Sequence, residues 1–252
     1  MARCISLKMT PTMQFEPALQ QATLLKRYKR FLVDVEQNGK QFTIHCPNTG
    51  AITGCAEPGS EAWYSLSDNP KRKYPGTLEI VKNLQGHLIG VNTLKANKLV
   101  AEALSNNIIS GFENCSFKQE VTVGDSRLDF LIDTTIGKHY LEVKSVTLGP
   151  LTRNDPNSGY FPDAKSERAI KHLHSLSKLV FEGHSATLLY CVQHTGIKKV
   201  HPATHIHPKY TEELLKAAKN GVKIRAFSAS IICSKNRQLI ELKKEIPVVL
   251  PE

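Results

Sequence analysis

Three side chains have the types and spacing to do chemistry together: Asp129 within Ser126-Arg-Leu-Asp-Phe130, and Glu142 with Lys144 within Tyr140-Leu-Glu-Val-Lys144. Successive side chains of a strand point to opposite faces, so Glu142 and Lys144 share one face while Leu141 and Val143 fill the other. A hairpin turning at Thr135-Ile136 would set Asp129 opposite Glu142, and opposed residues lie on one face with Cβ atoms about 4.5–5.5 Å apart. Gly137 would also permit a shift or a bulge. Two carboxylates that close repel, and a hard cation bridging their oxygens relieves the repulsion. Magnesium is the expected ion, with manganese as a substitute. It would acidify a water for in-line attack on a phosphodiester, while Lys144 would orient that water or neutralise charge on the phosphorus-bound oxygens. Glu102, on the preceding helix, is the candidate third metal ligand, acting through an outer-shell water. Charged alternation on a solvent-facing strand looks the same in sequence. Placement favours chemistry, because the acids fall on neighbouring strands between two helices in a basic chain.

The elements that must position these residues divide into two regions. In residues 13–93 short strands alternate with turns: 30–36, then 41–46 after an Asn38-Gly39 hairpin signal, then 61–65, 77–81 and 87–91. Five short strands with little helix predict a small barrel of the OB type, a shape suited to single-stranded nucleic acid. In residues 94–252 the period changes. Leu94, Leu99, Ala101 and Leu104 predict a helix over 94–104, strands follow at 117–123, 128–132 and 140–146, and residues 149–159 predict a surface loop. Asp163 is the expected cap of a helix running to about Glu182. The unbroken apolar 187–192 predicts a strand covered on both faces. Pro208 opens a further helix that Gly221 closes, and 222–227 is a last strand. That order predicts an α/β layer with a mixed sheet.

Lys and Arg total 33 against 23 Asp and Glu in the 252 residues, a net charge of +10, which favours polyanionic partners. Two basic-aromatic clusters, Lys26-Arg27-Tyr28-Lys29-Arg30-Phe31 and Lys71-Arg72-Lys73-Tyr74, combine cations for a phosphate backbone with rings for base stacking. The longest strongly apolar run, 186–192, is far short of the ~20 residues a membrane-spanning helix needs. No secretion signal is read at the start, so a cytoplasmic location and no membrane partner are expected. The six cysteines contain no Cys-x-x-Cys pair, and His45, Cys46 and Cys55 lack the fourth ligand of a zinc site.

The chain resembles the sugar fermentation stimulation protein A family from about Met13 to Leu250. The likeness rests on Pro47-Asn-Thr-Gly-Ala51 running into Thr53-Gly-Cys-Ala-Glu-Pro-Gly59, on Asp68-Asn-Pro-Lys-Arg-Lys-Tyr74 and Arg127-Leu-Asp129, on Glu142-Val-Lys-Ser-Val-Thr-Leu148, and on Gly159-Tyr-Phe-Pro-Asp-Ala164 with Glu167-Arg168. The resemblance implies an OB-like N-terminal domain and a domain similar to restriction-endonuclease-like PD-(D/E)xK nucleases, with DNA as ligand. Asp129 and Glu142 take the two acidic places and Lys144 the lysine; Leu128 stands where the pattern has Pro. Residues 1–12 lie outside the family pattern. RNA stays open as a partner, because an OB barrel stacks either polymer. Also open are a homodimer and a non-catalytic DNA-binding regulator of sugar (maltose) metabolism on the same scaffold.

Overall fold

The computed structural model describes residues 13–150 and 155–251, so the segment 1–12 and part of the expected loop over 149–159 lie outside the described residues. After strand β1 (Met13–Gln14) come β2 (Gln20–Tyr28), β3 (Leu32–Gln37), β4 (Lys40–His45), β5 (Glu61–Leu66) and β6 (Gly76–Lys82). Asn38 and Gly39 hold φ of +53° and +75°, the left-handed pair that matches a two-residue turn to the twist of its strands, and β3 and β4 pair from Gln37↔Lys40 onward. The order β4-β3-β2-β5-β6 closes where β4 meets β6 again at His45↔Thr77. Leu24, Val33, Val35, Ile44 and Leu78 fill this OB barrel with no exposed surface.

Five strands close the barrel as expected, but they are a different five. β2 is one of them, and β7 (Leu88–Gly90) is an extra strand on the free edge of β6. A bulge explains why β2 escapes the sequence pattern. Leu24 pairs with Val35 and Lys26 with Asp34, so Leu25 is extra and the apolar alternation changes phase within the strand.

The rest of the chain forms α1 (Ala96–Ser105), β8 (Ser116–Val123), β9 (Ser126–Thr134), β10 (Gly137–Val146), β11 (Ser158–Phe161), α2 (Glu167–Phe181), β12 (Ser185–Val192), β13 (Lys199–Pro202), α3 (Pro208–Lys219), β14 (Lys223–Cys233) and β15 (Gln238–Ile246). Seven strands make a mixed sheet in the order β1-β15-β14-β12-β10-β9-β8, in which β12 runs parallel to β10 and β14. β11 and β13 pair separately. On one face Leu99, Val100 and Leu104 of α1 pack with Phe130, Leu141, Leu189 and Phe227; on the other, Leu173 and Leu176 of α2 and Leu214 of α3 pack with Leu188, Tyr190 and Val192. Cover on both faces accounts for the unbroken apolar run of β12. β15 lies outside the expected elements for the same reason as β2: a bulge between Leu242 and Lys244 breaks its period. The cap of α2 is Ser166, whose hydroxyl accepts from Ala169 N at 3.2 Å, and not Asp163. Among the described residues no helix is long and apolar enough to cross a membrane.

The two regions share structure. Met13 and Gln14 pair with Ile240 and Leu239 in the second sheet, and Trp63 and Ile80 of the barrel enter the core beneath α1. Backbone bonds from Gly90 N to Gln193 O (2.9 Å) and from Thr195 N to Leu88 O (3.0 Å) tie β7 to the segment after β12. Replacing Leu188, fully enclosed in β12, by Ala is expected to destabilise the protein by about 2–5 kcal/mol in a denaturant titration. A loss under about 1 kcal/mol would contradict the two-sided burial.

Candidate active site

The β9–β10 hairpin has the register that a turn at Thr135-Ile136 sets, pairing Gly137↔Thr134 through Leu141↔Phe130. The next pair, Glu142 with Asp129, is not made as a backbone pair. Instead the Asp129 carboxylate fills the gap: Oδ2 accepts from Val143 N–H at 2.7 Å, and Oδ1 accepts from Asn97 Nδ2 of α1 at 2.7 Å. The ladder to β8 also skips this position, since Gln119↔Phe130 and Val121↔Leu128 flank it and Glu120 has φ +58°. Asp129 therefore sits at a break in the sheet, held by its own side chain.

Glu142 is 2% exposed. Its Oε1 accepts from Lys144 Nζ at 2.6 Å and meets His172 Nδ1 of α2, while Oε2 is buried without a partner. Arg168 Nε donates to His172 Nε2 at 3.5 Å. Because that nitrogen accepts, the ring proton sits on Nδ1 and points at Glu142. Burial opposes charge on Glu142, but the His172 bond and the Lys144 cation outweigh it and hold its pKa below the ordinary value. Asp129 goes the other way: burial and then the Glu142 charge push it from 3.8 to about 6. One carboxylate is thus held ionised and its neighbour is reluctant to ionise, a division typical of sites that handle protons or cations.

These residues line a cleft of about 320 Å³ between the two regions, with Asn48, Thr49 and Gly50 of the barrel on one side and Asp129, Glu142, Lys144, Asp163 and Arg168 on the other. Arg27 fixes the barrel wall. Its guanidinium donates to the carbonyls of Arg30 (2.6 Å), Gly50 (2.7 Å), Asn48 (2.9 Å) and Ala51 (3.2 Å). Gly50 allows the closest approach, since a Cβ there would stand 2.0 Å from Asp163 Oδ2.

A divalent cation fits the donors present. Glu142 Oε2 is left without a partner beside Asp129, and an all-oxygen pair of this kind would suit magnesium, which keeps several waters. Among the described residues no three acidic, His or Cys side chains form a fuller metal cage. Glu102 does not join the pair. It faces Lys98, Glu241 and the backbone of Met13 at the β1–β15 side of α1, and Asn97 is the α1 residue that reaches Asp129. The basic clusters also divide. Arg27 is committed to the loop and Tyr28 to Asp34 (3.1 Å), Arg72 bonds Thr77 Oγ1 (2.7 Å), and Lys73 lies 5.5 Å over the Tyr74 ring. Lys26, Lys29, Arg30 and Lys71 stay exposed. His172 and Asn97 are site residues that the sequence reading passes over, and Asp163 and Arg168 enter it only as an expected helix cap and within the family motifs.

Fold and site together define an OB barrel joined to a mixed-sheet α/β domain with a carboxylate pair in the cleft at their junction. The chain belongs to the sugar fermentation stimulation protein family: residues 25–91 match the SfsA N-terminal OB domain, and residues 94–235 the sugar fermentation stimulation protein RE domain. It is 48% identical over 244 residues to the sugar fermentation stimulation protein homolog of Pseudoalteromonas translucida (strain TAC 125), covering 94% of this chain and 100% of that one. It is also similar to a solved structure of Pyrococcus furiosus SfsA in complex with Ca2+, with a TM-score of 0.84 and 25% identity over 95% of this chain and 99% of that one.

The folded Asp129 carboxyl keeps its proton up to about pH 6, whereas an unfolded one releases it near 3.8. The folded state therefore binds more protons between those values, and this group's contribution to stability falls as pH rises through them. With chelator present, Asp129→Asn is expected to gain on the wild type progressively from pH 4 to 6.5, reaching about 1–3 kcal/mol above that range. A difference in melting temperature that stays constant with pH would reject the shared-burial account of Asp129.

Proposed function

We propose that the protein is a divalent-metal-dependent nuclease acting on DNA. The observation that carries this reading is the carboxylate pair of half-buried Asp129 and buried Glu142, with one Glu142 oxygen unpartnered and Lys144 within 2.6 Å of the other. Asp129 and Glu142 would hold magnesium, or manganese in its place, which when bound would lower the pKa of a water and offset charge on the phosphate. Asn97 and Val143 N–H fix how the Asp129 carboxylate is turned, and His172 does the same for Glu142. Lys144, 12% exposed at its side chain, keeps its ammonium at the cleft floor, where it can donate to the attacking water or to a phosphorus-bound oxygen. The exposed lysines and arginines of the barrel would follow the strand outside the cleft. The Ca2+ complex of the Pyrococcus relative supports a divalent ion in this family.

One observation favours a second reading, a non-catalytic DNA-binding regulator of sugar use. Glu142 Oε1 is already satisfied by Lys144 and His172, so the acid is stable without a metal. Purified protein with single- and double-stranded DNA and millimolar magnesium distinguishes the two. The nuclease reading expects metal-dependent cleavage that falls by about 100-fold or more in Glu142→Gln and Lys144→Ala. Cleavage at equal rates in wild type and Glu142→Gln, or none with any divalent ion, would eliminate this site as a nuclease.

Lys71, Arg72 and Lys73 replaced together by Ala should weaken DNA binding and shallow its salt dependence while leaving the melting temperature within a few degrees. Unchanged affinity would place the polyanion elsewhere. Matched DNA and RNA oligomers in competition decide the polymer.

A further inference from the structure

Arg168 is the second residue of α2, in the turn where the helix dipole disfavours a cation. It lines the carboxylate cleft on a chain segment exposed to solvent. Its Nε donates to His172 Nε2 at 3.5 Å. Among the described residues the two terminal amino groups have no protein partner. They form the planar fork that matches two oxygens of one phosphate. The imidazole behind it is 4% exposed and touches Glu142 through its other nitrogen. A rigid ring thus sets the distance between an anion-seeking fork and a cation-seeking carboxylate.

We propose that Arg168 is the residue that grips a backbone phosphate of the bound strand inside the cleft, and that His172 is a positioning residue holding this fork in register with Glu142. The proposal rests on the nucleic-acid reading above and names how its substrate is aligned. An arginine placed only to stabilise the fold would pair with a carboxylate or cap carbonyls, as Arg225 does with Glu245 (2.7 Å) and Ser110 (2.8 Å). Arg168 does neither in the described structure. His172 likewise differs from an ordinary core histidine in that both of its nitrogens engage charged groups of the site. The geometry also divides its two tasks. An Asn at 172 keeps an N–H in the place of Nδ1, facing Glu142, but removes the acceptor for Arg168.

The test uses the full chain and a labelled single-stranded oligodeoxynucleotide of mixed sequence. Binding is measured over a salt series in EDTA, and cleavage in magnesium. Arg168→Gln is expected to reduce the slope of log affinity against log salt by about 0.7, the share of one phosphate contact on a single strand, and to raise KM about tenfold with a smaller change in kcat. Arg168→Lys should restore the slope but not the KM, because it keeps the charge and loses the fork. His172→Asn should keep the slope and raise KM, and combining it with Arg168→Gln should add nothing to the KM of Arg168→Gln alone. An unchanged slope in Arg168→Gln overturns the phosphate contact, and multiplicative KM effects in the double variant overturn the positioning role. A slope that falls as expected in Arg168→Gln, with wild-type protein that never cleaves, would sink the nuclease reading while sustaining Arg168 as the phosphate grip.

Discussion

Two acid groups set side by side in one cleft, Glu142 buried and Asp129 half-buried, are the constraint around which the rest of the molecule is arranged. Each group alone could be hydrated or neutralised; together they are tolerable only because the fold treats them differently. Glu142 receives Lys144 and His172, whereas Asp129 receives only amide donors, from Asn97 and Val143. That difference requires a helix on each side of the sheet, since Asn97 comes from α1 and His172 from α2. It also requires strands that part at one position, so that a side chain can accept a bond normally made by the backbone. The break at Asp129 is thus a built feature of the site.

The barrel is part of the same arrangement. Arg27, which a sequence reader takes for a free cation, spends its guanidinium on four carbonyls of the loop that forms the far wall. Asp163 then approaches Gly50 more closely than any side chain at that position would allow. The cleft is consequently shaped by residues more than a hundred positions apart. Its width is set by a polar contact across the junction as much as by either core.

Much of this was legible in the sequence because it depends on local rules. The turn at Thr135-Ile136 set the hairpin register, the two-residue spacing put Glu142 and Lys144 on one face, and the apolar run of β12 announced a covered strand. What escaped did so for physical reasons. Bulges in β2 and β15 shift their alternation mid-strand, so each reads as noise to a period-two search. The pairing of β1 with β15 joins the two ends of the chain, and no local pattern encodes it. Glu102 is the α1 residue that the sequence offers, and Asn97 goes unnoticed, because only the packing of α1 decides which of its faces meets the acids. His172 left one usable trace: it shares a helical stripe with Leu176 and Leu179, and a polar residue on a core-facing stripe invites explanation.

Gly90 has a broader consequence. A Cβ at this position would lie 2.8 Å from Gln193 Oε1 and 3.0 Å from Ile240, and its amide already bonds Gln193 O. Two main chains meet there with no room between them, next to a core that draws Trp63 and Ile80 out of the barrel. Neither half is therefore a portable module. Severed at the seam, each would bare a greasy, unpaired surface, and a chimera made by exchanging barrels between relatives would have to carry its own matching seam along with it.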